Sequence, residues 1–311
     1  MINLPPWARA ASKLLPRMGA LAGLGAAALA AAQTPPAAPT TVTLGATALT
    51  QLDADLDGGG RVGWNAYNAS VGVTHQFNAA MKASVTATYA TEDWRFDTPT
   101  VFGPGAPWGR IQRPSIGFNF SYASAPDLIW FVAPQVQWAY ESGASAADGV
   151  NYGAVFGATK IFSPTLAIGF GLSVFRQIDD TRYFPFLIVN WQISDKLRLG
   201  NPLPAGPAGG AGLELAYAIA PQWELAGGAS YRDYRFRLDD EGVAPEGLGR
   251  NSGIPVFARL TRTFGPAARI DLYAGLVANG KLRLLDENGG TLRSTNYGTA
   301  PLLAITGSFS F

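Results

Sequence analysis

From Thr41 onward, apolar and polar residues alternate with a period of two, in runs of about 9 to 15 residues broken by Gly, Pro, Asn and Asp. The run from Leu128 is the clearest. Leu128, Trp130, Val132, Pro134, Val136, Trp138 and Tyr140 fall on one face, and Ile129, Phe131, Ala133, Gln135, Gln137, Ala139 and Glu141 on the other. The first face is wholly apolar or aromatic, with aromatics near its ends. That is the pattern of a lipid-facing strand, whose interfacial rings seat their polar atoms among headgroups. Ile116 to Tyr122, Leu166 to Val174, Leu213 to Ile219 and Ile270 to Leu276 repeat it. No long window shows capped 3.6-residue periodicity, so the reading is all-β.

The connections alternate as well. Short turns fall near Asn78, Ala125-Pro126-Asp127, Ser163-Pro164, Ser194-Asp195, Ala220-Pro221 and Gly265-Pro266. Longer polar loops lie between them, at Asp97 to Gly109, Gly143 to Gly149, Leu203 to Gly210, Asp239 to Ser252 and Asp286 to Ser294. Short periplasmic turns and long extracellular loops are the asymmetry of an outer-membrane barrel. The expected fold is a transmembrane, antiparallel, up-and-down β-barrel of about 14 strands, with 12 or 16 as alternatives. The least marked strand runs from Lys196 to Pro202. An open sheet edge in hydrocarbon costs several kcal/mol for each unpaired backbone group, so such strands must close.

Composition agrees. Charged residues make up 14% of the chain, against about 25% in soluble proteins. Glycines number 37, and mean hydropathy is +0.09, which averages an apolar face with a polar one. The net charge of +1 suggests no nucleic-acid partner. No cysteine is present, which excludes disulfides, thiolate metal sites and a Cys nucleophile.

Residues 1–32 read as a signal peptide. Arg9, Lys13 and Arg17 form its basic region, Met18 to Ala30 its apolar stretch, and Ala30-Ala31-Ala32 its small-residue cleavage site. Residues 33–41 are a short Pro/Thr-rich periplasmic segment, and residues 42–311 are the barrel. The expected location is the outer membrane of a Gram-negative cell.

In the last strand, Leu303, Ile305, Gly307, Phe309 and Phe311 share one face, and Ala304, Thr306, Ser308 and Ser310 the other. This resembles the C-terminal signal of bacterial outer-membrane barrels. The resemblance implies that the barrel-assembly machinery reads Leu303, Ile305, Phe309 and Phe311 during insertion. A second resemblance rests on Tyr183-Phe184-Pro185-Phe186, Asn190-Trp191-Gln192 and Lys196-Leu197-Arg198-Leu199. These resemble a family of uncharacterised Gram-negative outer-membrane β-barrel proteins, which brings no known substrate or catalytic residue.

Chemistry is sparse. The lone histidine, His75, shares a face with Tyr67, Ala69, Val71, Val73 and Phe77, an interfacial belt position. A lipid hydrolase would need a nucleophile beside it, and no serine stands out. Asp53, Asp55 and Asp57 invite a Ca²⁺ reading, but a polar turn accounts for them. No catalytic residue, metal site or cofactor is expected. By the alternation, Lys82, Glu92, Arg113, Glu141, Glu214, Glu224, Arg232, Arg259, Arg269 and Asp271 point into the lumen, where buried charges need partners. Arg259 and Arg269 would form a basic strip that Asp271 offsets. The loops Leu203 to Gly210 and Asp239 to Ser252 are candidate gates. The leading expectation is a passive channel or transporter for a small solute, with outer-membrane lipid around it. The alternative is a structural or surface-exposed barrel without a through-pore. A lipid-modifying enzyme is third.

Overall fold

The computed structural model describes residues 39–178, 180–202, 206, 207 and 211–311. The segments read as signal peptide and most of the Pro/Thr-rich segment lie outside the described residues. Eighteen extended segments form one closed sheet. Four strands are each broken by a kink, so the segments make fourteen strands. They are β1 (Thr40–Asp55), β2 (Arg61–Gln76), β3 (Met81–Asp97), β4 (Arg110–Gln112 and Ser115–Ala125) and β5 (Leu128–Trp138 and Tyr140–Glu141). Next come β6 (Val150–Ser163), β7 (Leu166–Gln177), β8 (Asp180–Gln192), β9 (Leu197–Gly200) and β10 (Gly212–Ala220). The last four are β11 (Trp223–Ser230 and Arg232–Arg237), β12 (Leu248–Phe264), β13 (Ala268–Leu285) and β14 (Thr291–Tyr297 and Ala300–Ser310). Each strand pairs antiparallel with the next, and β14 returns to β1, Phe309 opposite Leu44. Val42 and Phe311 exchange backbone hydrogen bonds at 2.7 and 2.9 Å, sealing the join at the periplasmic end.

The alternation takes its predicted sides. Tyr67, Val71 and Val73 on β2, Phe77 just beyond it, Trp130, Val132 and Val136 on β5, and Leu303, Ile305 and Phe309 on β14 are large, apolar and exposed. Such residues ring the barrel, and only a hydrocarbon surround makes that exposure favourable. Aromatics bound the belt. Phe77, Phe162, Trp191, Tyr217 and Phe264 sit toward the short turns, and Tyr67, Tyr89, Tyr152 and Tyr183 toward the long loops. Ten residues separate Tyr67 from Phe77. At ~3.4 Å per residue and a tilt of ~40° they span about 25 Å, the height of an outer-membrane belt. The chain is therefore a membrane-spanning barrel of the outer-membrane type.

The strands are unequal. β1, β2, β3, β12 and β13 run 16 to 18 residues, whereas β9 has 4. Above the belt, the tall strands close a second, narrower ring that leaves out β6 to β10. Arg237 of β11 pairs parallel with Tyr140 of β5, and the Arg237 amide donates to the Ala139 carbonyl at 2.9 Å. At the opposite join, Leu56 bridges to Tyr297. Leu248 to Ser252 and Thr291 to Ser294, read as loop from the sequence, belong to strands of this ring.

The ring has a core of its own, built from Val62, Trp64, Trp94, Phe102, Trp108, Phe236, Leu282 and Leu284 among others. Trp108 packs edge-on to Trp94, Phe96 and Phe236, at 5.6, 5.3 and 5.2 Å between centroids. Gly249 and Gly280 lie flat against Phe236 and Tyr297, where a Cβ would collide with the rings. The extracellular end is thus capped by packed side chains rather than by loops alone.

Candidate functional site

The ten charged residues assigned to the lumen are all buried or half-buried, but they do not act alike. Eight of them, with Arg198, fall into two networks, and Thr residues complete the first.

The first network lies on the β9–β14 wall. The Arg259 guanidinium, wholly buried, donates to Glu214 at 3.0 and 2.5 Å, to Glu224 at 2.8 Å, to Asp271 at 3.2 Å, and to the Thr261 hydroxyl. Arg269 donates to Asp271 at 2.7 Å, and Arg198 reaches Glu224 at 3.5 Å. Thr261 and Thr306 give Asp271 two more donors, at 2.5 and 3.1 Å. Three arginines balance three carboxylates, drawn from β9 to β13. The basic strip expected of Arg259 and Arg269 does not form, because Glu214 and Glu224 complete the neutralisation begun by Asp271.

The second network crosses the lumen under the upper core. Glu92 accepts from Arg113 and from the Tyr234 hydroxyl, both at 2.8 Å, and from the Trp94 indole at 3.1 Å. The Asn251 amide donates to the Tyr234 oxygen at 3.1 Å, and the Tyr297 hydroxyl donates to the Asn251 carbonyl oxygen at 3.2 Å. Arg232 then links Tyr297 and Gln51 at 3.2 and 3.0 Å. The neutral members Gln51, Tyr234, Asn251 and Tyr297 were missed by a search for charges. Their inward parity was the available signal.

Glu141 and Lys82 stand apart from both networks. Glu141 accepts from the Gly109 and Asp239 amides at 2.5 and 3.3 Å, tying two extracellular loops together. Lys82 is half-buried near the periplasmic end of β3.

Below the second network, and across from the first, the lumen is lined by small residues. Thr43, Thr47, Ser70, Thr74, Ser84, Thr88, Asn119, Gly157, Gly169 and Ser173 point inward and are only partly covered, and Thr86, also inward, is exposed. One connection folds into this space. Gly206, at φ +61°, has its Cβ position 3.1 Å from the Tyr273 ring and 3.5 Å from Ala304, both inward residues of the far wall. Pro207 beside it is buried. The candidate gate Leu203 to Gly210 thus enters the lumen at its two described residues, Gly206 and Pro207.

His75 faces outward, its Nδ1 2.8 Å from the Thr40 hydroxyl and its ring edge-on to Phe77 at 4.6 Å. Asp53 pairs with Arg95 at 3.7 Å, and Asp57 accepts from Asn296 at 2.9 Å. A groove along the outer surface of β1, β2 and β11 to β14 is lined by Tyr67, Leu225, Leu260, Leu272 and Leu303, all lipid-facing.

No family model and no characterised protein matches the chain in sequence. Similar solved structures include an outer-membrane channel from Pseudomonas putida F1, 9% identical, with a TM-score of 0.46 over 90% of this chain and 98% of that one. They also include the Pseudomonas putida toluene transporter TodX, 10% identical, with a TM-score of 0.42 over 88% and 90%. A Pseudomonas aeruginosa FadL homologue is 11% identical, with a TM-score of 0.41 over 87% and 89%. At these scores no activity is transferred from them.

Proposed function

We propose that this barrel is a passive channel or transporter for a small solute in the Gram-negative outer membrane. The observation that carries the reading is the partly open lower lumen. Its small polar side chains leave Thr86 exposed on an inward face, whereas a purely structural barrel gains stability by filling that space. The tiered aromatic core and the inward loop at Gly206 act as closures over a conduit. The first charge network is internally balanced and the second carries one net positive charge, so selectivity is weak and the solute is neutral or of low charge. Outer-membrane lipid contacts the belt. We further propose that β14, with Leu303, Ile305, Phe309 and Phe311 facing lipid, is the strand read by the assembly machinery. His75 serves at the interface rather than in catalysis, since its ring partners are Thr40 and Phe77.

Purified barrel in a planar bilayer is expected to give stepwise conductance with little preference between K⁺ and Cl⁻. The packed upper core favours the second reading, a barrel without a through-pore. Silent bilayers from a folded, heat-modifiable preparation would establish that reading instead.

A further inference from the structure

The upper ring closes by joining β5 to β11 directly, so β6 to β10 end beneath it. The consequence falls on β8. On one side β8 pairs with β7 along Asp180–Trp191, but on the other it meets β9 only at Asn190–Gln192. Among the described residues, no strand pairs with the β8 edge from Asp180 to Ile188. From Tyr183 of the outer aromatic girdle down to Ile188, that stretch lies within the outer leaflet.

An open edge there is costly unless its backbone groups are provided for, and the sequence provides for its lower part. Asn201 stands where β9 stops. Its side-chain oxygen accepts from the Val189 amide at 2.9 Å, and its side-chain nitrogen donates to the Leu187 and Gly212 carbonyls, both at 3.0 Å. These bonds show that the odd-numbered residues of β8 present their backbone to the gap. The next odd residue is Pro185, which has no N–H to leave unpaired. The gap is therefore a built feature of the wall.

Its walls are apolar. Tyr183 and Leu187 are 68% and 63% exposed, more than Leu213 or Leu215 on the fully flanked β10, at 48% and 45%. Phe184 points inward yet is 39% exposed, and its ring lies parallel to that of Tyr231 at 6.1 Å. Tyr231 belongs to the kink of β11, across the gap. The charges at its upper end, Arg182 and Asp180, neutralise each other at 2.9 Å.

We propose that this seam between β8 and β11 is a lateral portal joining the lumen to the outer leaflet, with the Phe184–Tyr231 pair as its closure and a small apolar molecule as its cargo. A portal that opens into hydrocarbon between aromatic rings offers a charged solute nothing, whereas an uncharged aromatic compound can replace the ring that moves aside. This deepens the channel reading by naming the solute class and the route.

The test uses the full-length chain, which has no native cysteine. The pair Phe184→Cys and Tyr231→Cys is bridged by a short, reducible bis-thiosulfonate. Uptake of radiolabelled naphthalene is followed in cells, and conductance in KCl is followed on the same purified protein. The bridge is expected to reduce uptake to that of cells lacking the protein, to leave conductance unchanged, and to be reversed by thiol. The double variant Phe184→Ala and Tyr231→Ala, checked for heat-modifiability, is expected to take up naphthalene faster than wild type. Naphthalene uptake that is indifferent to the bridge, or absent in wild type, overturns the portal even if KCl conductance is normal. Uptake blocked by the bridge in a protein that gives no conductance supports the portal and removes only the axial channel.

Discussion

At the scale of single residues, Arg259 concentrates the interior electrostatics. Its guanidinium spends its donors on Glu214, Glu224, Asp271 and Thr261, and no part of its side chain meets water. Removing one partner of a buried pair costs more than the pair itself contributes, because the remaining charges keep their desolvation cost. Arg259→Met is expected to destabilise the barrel by about 3 kcal/mol, since it leaves the buried Glu214 carboxylate with only Arg198, 4.0 Å away. Adding Glu214→Gln to Arg259→Met should restore part of that loss, because Glu224 keeps Arg198 and Asp271 keeps Arg269. Urea unfolding in lipid vesicles, followed by Trp fluorescence, measures both. A single variant as stable as wild type would mean that the cluster is hydrated and is not a dry cross-link.

At the scale of elements, a four-residue β9 is held in place by one side chain. Asn201 extends the ladder beyond Gly200 with three hydrogen bonds, where a full strand would use its backbone. Asn201→Ala is expected to speed hydrogen exchange at the Val189 amide by about tenfold or more, the effect of losing roughly 1.4 kcal/mol of local protection. Amides in the β1–β2 pair should stay unchanged. Unaltered exchange at Val189 would show that the β8–β9 pairing stands without the side chain. The strands of the belt were legible because apolar residues face outward there on alternate positions. The upper ring was not, because its amphipathicity is inverted: its strands are apolar inward and charged outward. On β3 the apolar series moves from Val85 and Tyr89, outward, to Trp94 and Phe96, inward. On β13 the main apolar series keeps even numbers, Ile270, Leu272 and Leu276 below and Leu282 and Leu284 above. The register shifts by one around Asn279, at φ +52°, and Gly280, so Leu272 faces lipid while Leu282 fills the core. A bulge of this kind leaves the sequence period unbroken while turning the strand over, so periodicity alone places the upper half of β13 on the wrong face.

At the scale of the whole molecule, two cylinders of different solvent logic are stacked. The lower one is stabilised by lipid outside and polar contacts inside, and the upper one by an apolar core inside and water outside. They share nine strands but separate forces, so the cap can be loosened without dissolving the belt. Trp108 is the place to do it. It is 2% exposed, lies between β3 and β11, and touches Trp94, Phe96, Phe102 and Phe236. Its removal leaves the lipid-facing rows intact. Trp108→Ala should cost the upper core about 3–5 kcal/mol. Heat-modifiability should survive, because the strand pairing of the belt does not pass through Trp108. If the upper core is what closes the axial route, this variant should show larger or more frequent conductance steps than wild type under the same voltage. If it unfolds the cap and conductance stays at the wild-type level, the constriction lies lower, at the loop carrying Gly206 and Pro207 against Tyr273. A deletion within that loop then becomes the variant that opens the barrel.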